Sequence, residues 1–215
     1  MDVRHTPESL VAFEDEIAQM FLNKEIHSPV HLSGGNESQL IDIFRNHVNQ
    51  DDWILCSWRS HYACLLKGVP PEQLRQAILD GKSISLCFPE YQILSSGIVG
   101  GTAPIAVGLA MGIKRKQAME FKGRLPYPHE YRKVVCFLGD TTAETGIVHE
   151  SVKYATNHDL PVLFVIEDNG LSVSTDTVEV WGGAYQNHWF NSDKILRYRY
   201  QLTRPHVGIG THVAF

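Results

Sequence analysis

Two unbroken apolar runs, Val134-Val135-Cys136-Phe137-Leu138 and Val162-Leu163-Phe164-Val165-Ile166, constrain this chain more than any other feature. A strand that is apolar at every position needs cover on both faces, and such strands belong to parallel sheets with helices on each side. Between the two runs lie a turn, Gly139-Asp140-Thr141, and a helical pattern from about Ala143 to His158. That pattern places Ile147, Val148, Val152 and Ala155 on one face. Strand, helix and strand in this order predict a right-handed βαβ unit. The expected fold is therefore α/β, a parallel doubly wound sheet flanked by helices.

The rest of the chain is consistent with that class. Thr6-Pro7-Glu8 reads as a helix cap with proline in the first turn, and Leu10, Phe13, Ile17, Met20 and Phe21 follow at helical spacing. A turn-rich stretch, His31 to Glu37, leads into a second helical pattern around Leu40 to Val48. Trp53-Ile54-Leu55-Cys56 has strand length, and Pro71-Glu72-Gln73-Leu74 opens a helix ending at Gly81. A helix from Thr102 to about Phe121 is rich in small residues (Ala103, Ala106, Gly108, Ala110, Gly112), which suits close packing of its backbone. Beyond Thr175 the chain turns aromatic, with Trp181, Trp189 and several tyrosines, and an alternating stretch from Ile195 to Thr203 predicts one more strand.

Composition removes several function classes. The net charge is −5 and no Lys/Arg cluster stands out, which argues against a nucleic-acid-binding face. The N-terminal stretch MDVRHTPESLVAFEDEIAQMF carries acidic residues within its apolar pattern, so it reads as neither a signal peptide nor a membrane span. Cys56, Cys64, Cys87 and Cys136 include no C-x-x-C pair, and buried free thiols are expected rather than disulfides. A cytoplasmic location is the expectation. The 215 residues suffice for one core but are few for separate cofactor and substrate domains.

In an open parallel sheet, ligands bind beyond the carboxyl ends of the strands. Asp140 follows the first apolar run by one glycine, and Asp168-Asn169 follow the second. Adjacent parallel strands would bring Asp140 and Asn169 together. A carboxylate and an amide oxygen are hard ligands suited to Mg²⁺, which takes its remaining ligands from phosphate and water. A nearby helix start would favour an anion. Asp after a strand is also a common helix cap, and Asn-Gly a common turn.

The whole segment GDTTAETGIVHESVKYATNHDLPVLFVIEDNGLSVST resembles the thiamine-diphosphate motif, which opens Gly-Asp-Gly and closes with Asn. It is most similar to the alpha subunit of the 2-oxoacid dehydrogenases of the pyruvate and branched-chain type, including Gly146, Glu150, Leu160-Pro161 and Glu167-Asp168-Asn169. The resemblance implies that Asp140, Asn169 and the Leu171 carbonyl hold Mg²⁺, with Gly139 and Thr141 beside the cofactor. Ser57-Trp58-Arg59-Ser60-His61 resembles the segment whose aromatic–Arg pair grips the diphosphate, which implies Trp58 and Arg59 as cofactor ligands. A guanidinium fork suits a phosphate, although a solvated surface arginine is the alternative. His61 matches a histidine near the reaction centre of the pyruvate members and is the candidate catalytic residue, with an ordinary partly buried histidine as the alternative. Gly97-Ile98-Val99-Gly100 resembles the loop that receives the aminopyrimidine ring, where the Gly97 carbonyl meets the amino group and Val99 props the bent cofactor. Gly34-Gly35-Asn36-Glu37 resembles the family's Gly-Gln-Glu-Ala, to which no chemistry is assigned.

The resemblance covers roughly residues 8 to 175, with departures. Thr141 stands where the motif has its second glycine, so the turn there is expected to avoid glycine-only angles. The region after Thr175 is short for the family, and the phosphorylatable His-Ser loop is absent. The ending Thr203 to Gly210 is similar to the last strand and Gly-x-Gly turn of the transketolase cofactor domain, with His206 near the reaction centre as one possibility. Residues 1–215 are accordingly expected to form a single diphosphate-binding, alpha-like domain with 176–215 a trimmed C-terminal segment. The resemblance implies thiamine diphosphate and Mg²⁺ as cofactors, and a beta-like subunit carrying the pyrimidine site, in a heterotetramer of two alpha-like and two beta-like chains. It implies a small 2-oxoacid or ketose as substrate, a lipoyl or acyl carrier as acceptor, and neither nucleic acid nor membrane as partner. A split transketolase-type ketol transferase, a biosynthetic two-carbon acyltransferase and a non-catalytic binding subunit are the alternatives.

Overall fold

The computed structural model describes residues 4–123, 131–183, 192–207 and 213–215. Helix α1 (Pro7–Leu22) starts where the sequence places it: the Thr6 side chain accepts from the Ser9 N–H and the Ser9 hydroxyl accepts from the Thr6 N–H. That capping box satisfies two of the orphaned donors of a helix start. There follow α2 (Glu37–His47), β1 (Trp53–Cys56), α3 (His61–Lys67), α4 (Pro71–Leu79), β2 (Cys87–Phe88) and β3 (Ile93–Ser95). After the long α5 (Thr102–Phe121) come β4 (Val134–Gly139), α6 (Asp140–Ala143), α7 (Gly146–Asn157) and β5 (Val162–Asp168). The chain continues through a small hairpin, β6 (Leu171–Ser172) and β7 (Thr175–Asp176), then α8 (Thr177–Trp181) and β8 (Ile195–Arg199).

The main sheet has the order β2-β3-β1-β4-β5-β8. Five of its strands run parallel, and β2 pairs antiparallel at one edge. Side chains alternate across it. Ile54, Val135, Phe137 and Val165 face one core, shared with α1 to α4. Leu55, Val134, Cys136, Leu138, Phe164 and Ile166 face the other, shared with α5 and α7. Both faces are covered, as the two apolar runs require, and the architecture is the doubly wound parallel sheet expected from the sequence.

The departures have physical causes. The helix expected from about Ala143 to His158 is α7, from Gly146 to Asn157, and the turn expected at Gly139-Asp140-Thr141 holds the short α6. The buried stripe of α7 is Val148, Ser151, Val152 and Ala155, while Ile147 is 43% exposed. A helix starting at Gly146 sets 148, 152 and 155 on one stripe and leaves 147 about 100° away. On α5, the close packing falls to the buried Ala103, Ala106 and Ala110, whereas Gly108 and Gly112 face open space. The last strand stops at Arg199 rather than Thr203. Trp189 and the Gly208–Gly210 turn lie outside the described residues. Cys56, Cys64 and Cys136 are buried free thiols, and Cys87 is exposed. Among the described residues, no helix is long and apolar enough to cross a membrane.

Candidate functional site

The sheet forks where β1 and β4 lie side by side: from β1 the chain crosses to β3, and from β4 it proceeds the other way to β5 and β8. Loops leaving the two strands diverge there and open a crevice beyond their carboxyl ends. A cavity of about 180 Å³ occupies this place. The end of β1 gives it Ser57, Trp58 and Arg59, and the β4–α6 junction gives Gly139, Asp140, Thr141 and Thr142. The end of β5 and the following hairpin give Glu167, Asn169, Leu171, Ser172 and Val173. Ser33, Asn36, Val99, Tyr200 and His206 close the wall.

Of the residues singled out in the sequence, Trp58, Arg59, Val99, Gly139, Asp140, Thr141, Asn169 and Leu171 line this cavity, and Gly97 and His61 do not. Asp140 opens α6 and is 2% exposed, with its Oδ2 accepting from the Thr177 hydroxyl at 2.8 Å. Thr141 is helical, so threonine meets no backbone penalty where the family motif has glycine. Its hydroxyl lies 3.1 Å from that of Thr177. Asn169 accepts from the Leu171 N–H at 2.9 Å, a local turn that leaves its oxygen a second lone pair. Asp168 is committed elsewhere: Arg197 donates to its Oδ2 through Nη2 at 2.6 Å and Nε at 3.1 Å.

The loop carrying Val99 rests on the start of α7. Gly100 has φ +73, and a Cβ there would stand 2.7 Å from the Ile147 Cγ2. Only glycine meets both demands. Ile98 and Val99 beside it are 74% and 53% exposed.

His61 lies behind the cavity wall, fully buried at the first turn of α3. Its Nδ1 is 3.0 Å from Glu14 Oε2, and its Nε2 is 3.0 Å from the Ser83 hydroxyl. The other oxygen of Glu14 accepts from the Ser33 N–H at 2.8 Å. Serine, histidine and glutamate in this order have the connectivity of a hydrolytic triad. All three are wholly shielded from solvent, so the network instead ties α1, α3 and the Ser33 and Arg59 segments together.

Sequence reasoning overlooked a second polar group in the wall. Glu167 Oε1 accepts from the Tyr198 hydroxyl at 2.7 Å and from Asn36 Nδ2 at 3.2 Å. Asn36 also donates to the Tyr198 oxygen at 3.0 Å. Burial pushes the Glu167 carboxyl up to about 7, against the lowering effect of these hydrogen bonds and of Arg59. Burial lowers Arg59 too, with Tyr200 and Glu167 opposing. His31 is held down at about 4, by burial first and then by His206 and Arg59. Two N–H groups of the wall, Trp58 Nε1 and Arg59 Nε, are buried with no hydrogen-bond partner among the described residues. Such orphaned donors are costly unless a ligand satisfies them. The only hints in sequence were Gly34-Gly35-Asn36-Glu37, given no chemistry, and the glutamate ending the second apolar run.

The alpha subunit of acetoin:2,6-dichlorophenolindophenol oxidoreductase from Bacillus subtilis is 29% identical over 174 residues, 76% of this chain and 48% of that one. The protein of the same name from Cupriavidus necator is 31% identical over 173 residues, again 76% and 48%. The pyruvate dehydrogenase E1 component subunit alpha of Porphyra purpurea is 27% identical over 168 residues, 73% and 47%. The chain thus spans about half the length of the curated relatives it matches. Residues 6–185, which carry all but the β8 side of the cavity, match the family described as the dehydrogenase E1 component, and the chain belongs to that family.

Proposed function

We propose that the chain is the alpha-like, diphosphate-binding subunit of a heteromeric thiamine-diphosphate enzyme. With a beta-like partner that supplies the pyrimidine site, it would cleave a 2-oxoacid or a related hydroxyketone next to the carbonyl and transfer the acyl or aldehyde fragment. One observation carries this reading: Asp140, Asn169, Trp58 and Arg59 line one cavity at the fork of the sheet, and two of its N–H donors are buried without partners among the described residues. A Mg²⁺-bound diphosphate fits that donor set. Asp140, Asn169 and the Leu171 carbonyl would hold the metal through hard oxygens. Trp58 Nε1 and Arg59 Nε would donate to the phosphates, relieving their desolvation. When bound, thiamine diphosphate would supply the nucleophile and electron sink.

The chain's own residues would bind, orient and shield. Thr177 fixes one oxygen of Asp140, which sets the carboxylate for the metal. Glu167, raised by burial to about 7, would titrate near neutral pH under the influence of Arg59. Val99 lines the cavity from a loop whose apolar surface is exposed, and a beta-like partner would cover that surface and exclude water. His61 serves as an anchor of the Arg59 segment rather than at the reacting atoms.

The test is Mg²⁺-dependent binding of thiamine diphosphate, by calorimetry, to the chain copurified with a beta-like partner. Asp140→Ala should abolish the Mg²⁺-dependent part. Absence of binding by both chain and complex, or unchanged affinity in Asp140→Ala, would refute the proposal.

A further inference from the structure

Tyr200 and His206 lie beyond the span that matches the family, yet both line the cavity. After β8 the chain crosses the turn ahead of α2, and Gly34 and Gly35 make the crossing possible. A Cβ on Gly34 would lie 2.3 Å from the Thr203 hydroxyl, and one on Gly35 would lie 2.0 Å from the Gln201 carbonyl oxygen. The Thr203 N–H donates to the Gly34 carbonyl at 3.3 Å, and Arg204 pairs with Asp15 of α1. This docking delivers His206 to Arg59: the guanidinium Nη2 lies 3.0 Å from His206 Nδ1. Arginine only donates, so Nδ1 must be the unprotonated acceptor. The His31 and Trp58 rings pack against the same imidazole, at 4.6 and 6.4 Å between centroids.

Arg59 has a long side chain, and its Nε has no partner among the described residues. A hydrogen bond at the far end of the guanidinium fixes the plane of the fork before any ligand arrives. The ligand then meets a preorganised donor rather than one it must order. We propose that His206 is a positioning residue that aims Arg59 at an anion, the diphosphate of the reading above, on which this inference rests. The groups facing His206 are Arg59 from the β1–α3 segment and His31 from the segment before α2, with Glu167 and Tyr200 acting through Arg59. A protonated imidazole would set a second cation against the guanidinium, so the pair requires neutral His206. Burial and Arg59 both favour that form.

The experiment measures Mg²⁺-diphosphate and thiamine-diphosphate affinity in the full chain, with its partner where the two copurify, for wild type, His206→Ala, His206→Gln and Arg59→Ala. His206→Ala should weaken diphosphate binding about tenfold at an unchanged melting temperature. His206→Gln, whose amide oxygen still accepts, should recover most of the loss. Acidification should weaken binding more in wild type than in His206→Gln, a comparison in which the ligand's own titration cancels. In ligand-free protein, Arg59→Ala should raise the titration midpoint of His206 followed by NMR. Equal affinity in His206→Ala and wild type, equal losses in the Ala and Gln variants, or an unmoved His206 midpoint would each overturn the inference while leaving the proposed function standing. Diphosphate bound equally by wild type and Arg59→Ala would overturn the function as well, and the inference with it.

Discussion

Replacing Glu167 by Gln tests the electrostatics of the cavity wall. Burial lifts this carboxyl from 4.5 to about 7 in the folded chain, despite hydrogen bonds from Tyr198 and Asn36 and the charge of Arg59. The folded value lies above the unfolded one, so folding favours the protonated form. The corresponding stabilisation is fully present below about pH 4.5 and is lost as the pH rises through about 7. At about 1.4 kcal/mol per pH unit, that gap is worth about 3 kcal/mol. Glutamine keeps an oxygen that accepts from Tyr198 and Asn36, and it cannot ionise. Urea denaturation of both proteins without ligand, between about pH 5 and about pH 8, should therefore show Glu167→Gln gaining roughly 3 kcal/mol on wild type as the pH rises. A constant difference at every pH would refute the burial account of Glu167.

Three further outcomes follow from the packing. Phe137 is 1% exposed and stacks on Phe44 at 5.9 Å, so Phe137→Ala should cost roughly 3–5 kcal/mol in urea denaturation. Gly100→Ala should destabilise by about 1–2 kcal/mol, and adding Ile147→Ala should restore only part, because the contact is relieved and the positive φ is not. Among the four free thiols, Cys87 should react quickly with a thiol reagent, while Cys56, Cys64 and Cys136, all raised by burial, should react only on unfolding.

Elements with their own period or cap were legible in the sequence: α1 from its capping residues, β4 and β5 from their unbroken apolar runs, α5 from its small residues. The missed elements lack such a signal. All seven residues of α3 are buried, so no polar face betrays a helical period. The strands β2 and β3 have two and three residues, too few for alternation to register. The short α6 escaped because the sequence reads as a turn there. Asp140, Thr141 and Thr142 are weak helix formers, and a helix of four residues is too short to show a period.

The same distinction explains the site. Asp140, Asn169 and Arg59 occupy strand ends, and adjacency in a parallel sheet brings such residues together whatever separates them in sequence. His61 and Glu167 show that surroundings, not residue type alone, decide what a side chain can touch. His61 is two residues from Arg59, but the first turn of α3 points it at Glu14 and Ser83, away from the cavity. Asn36 completes the contrast. It stands at the N-cap of α2, where an asparagine ordinarily bonds the first helical N–H groups for about 1 kcal/mol. Here its side chain makes no cap bond and instead bonds Glu167 and Tyr198 in the cavity wall. A helix start gives up its local stabilisation to hold a buried carboxyl and a tyrosine far away in sequence. A conflict of that kind between local propensity and tertiary placement is the pattern expected of a functional wall, and only the folded chain reveals it.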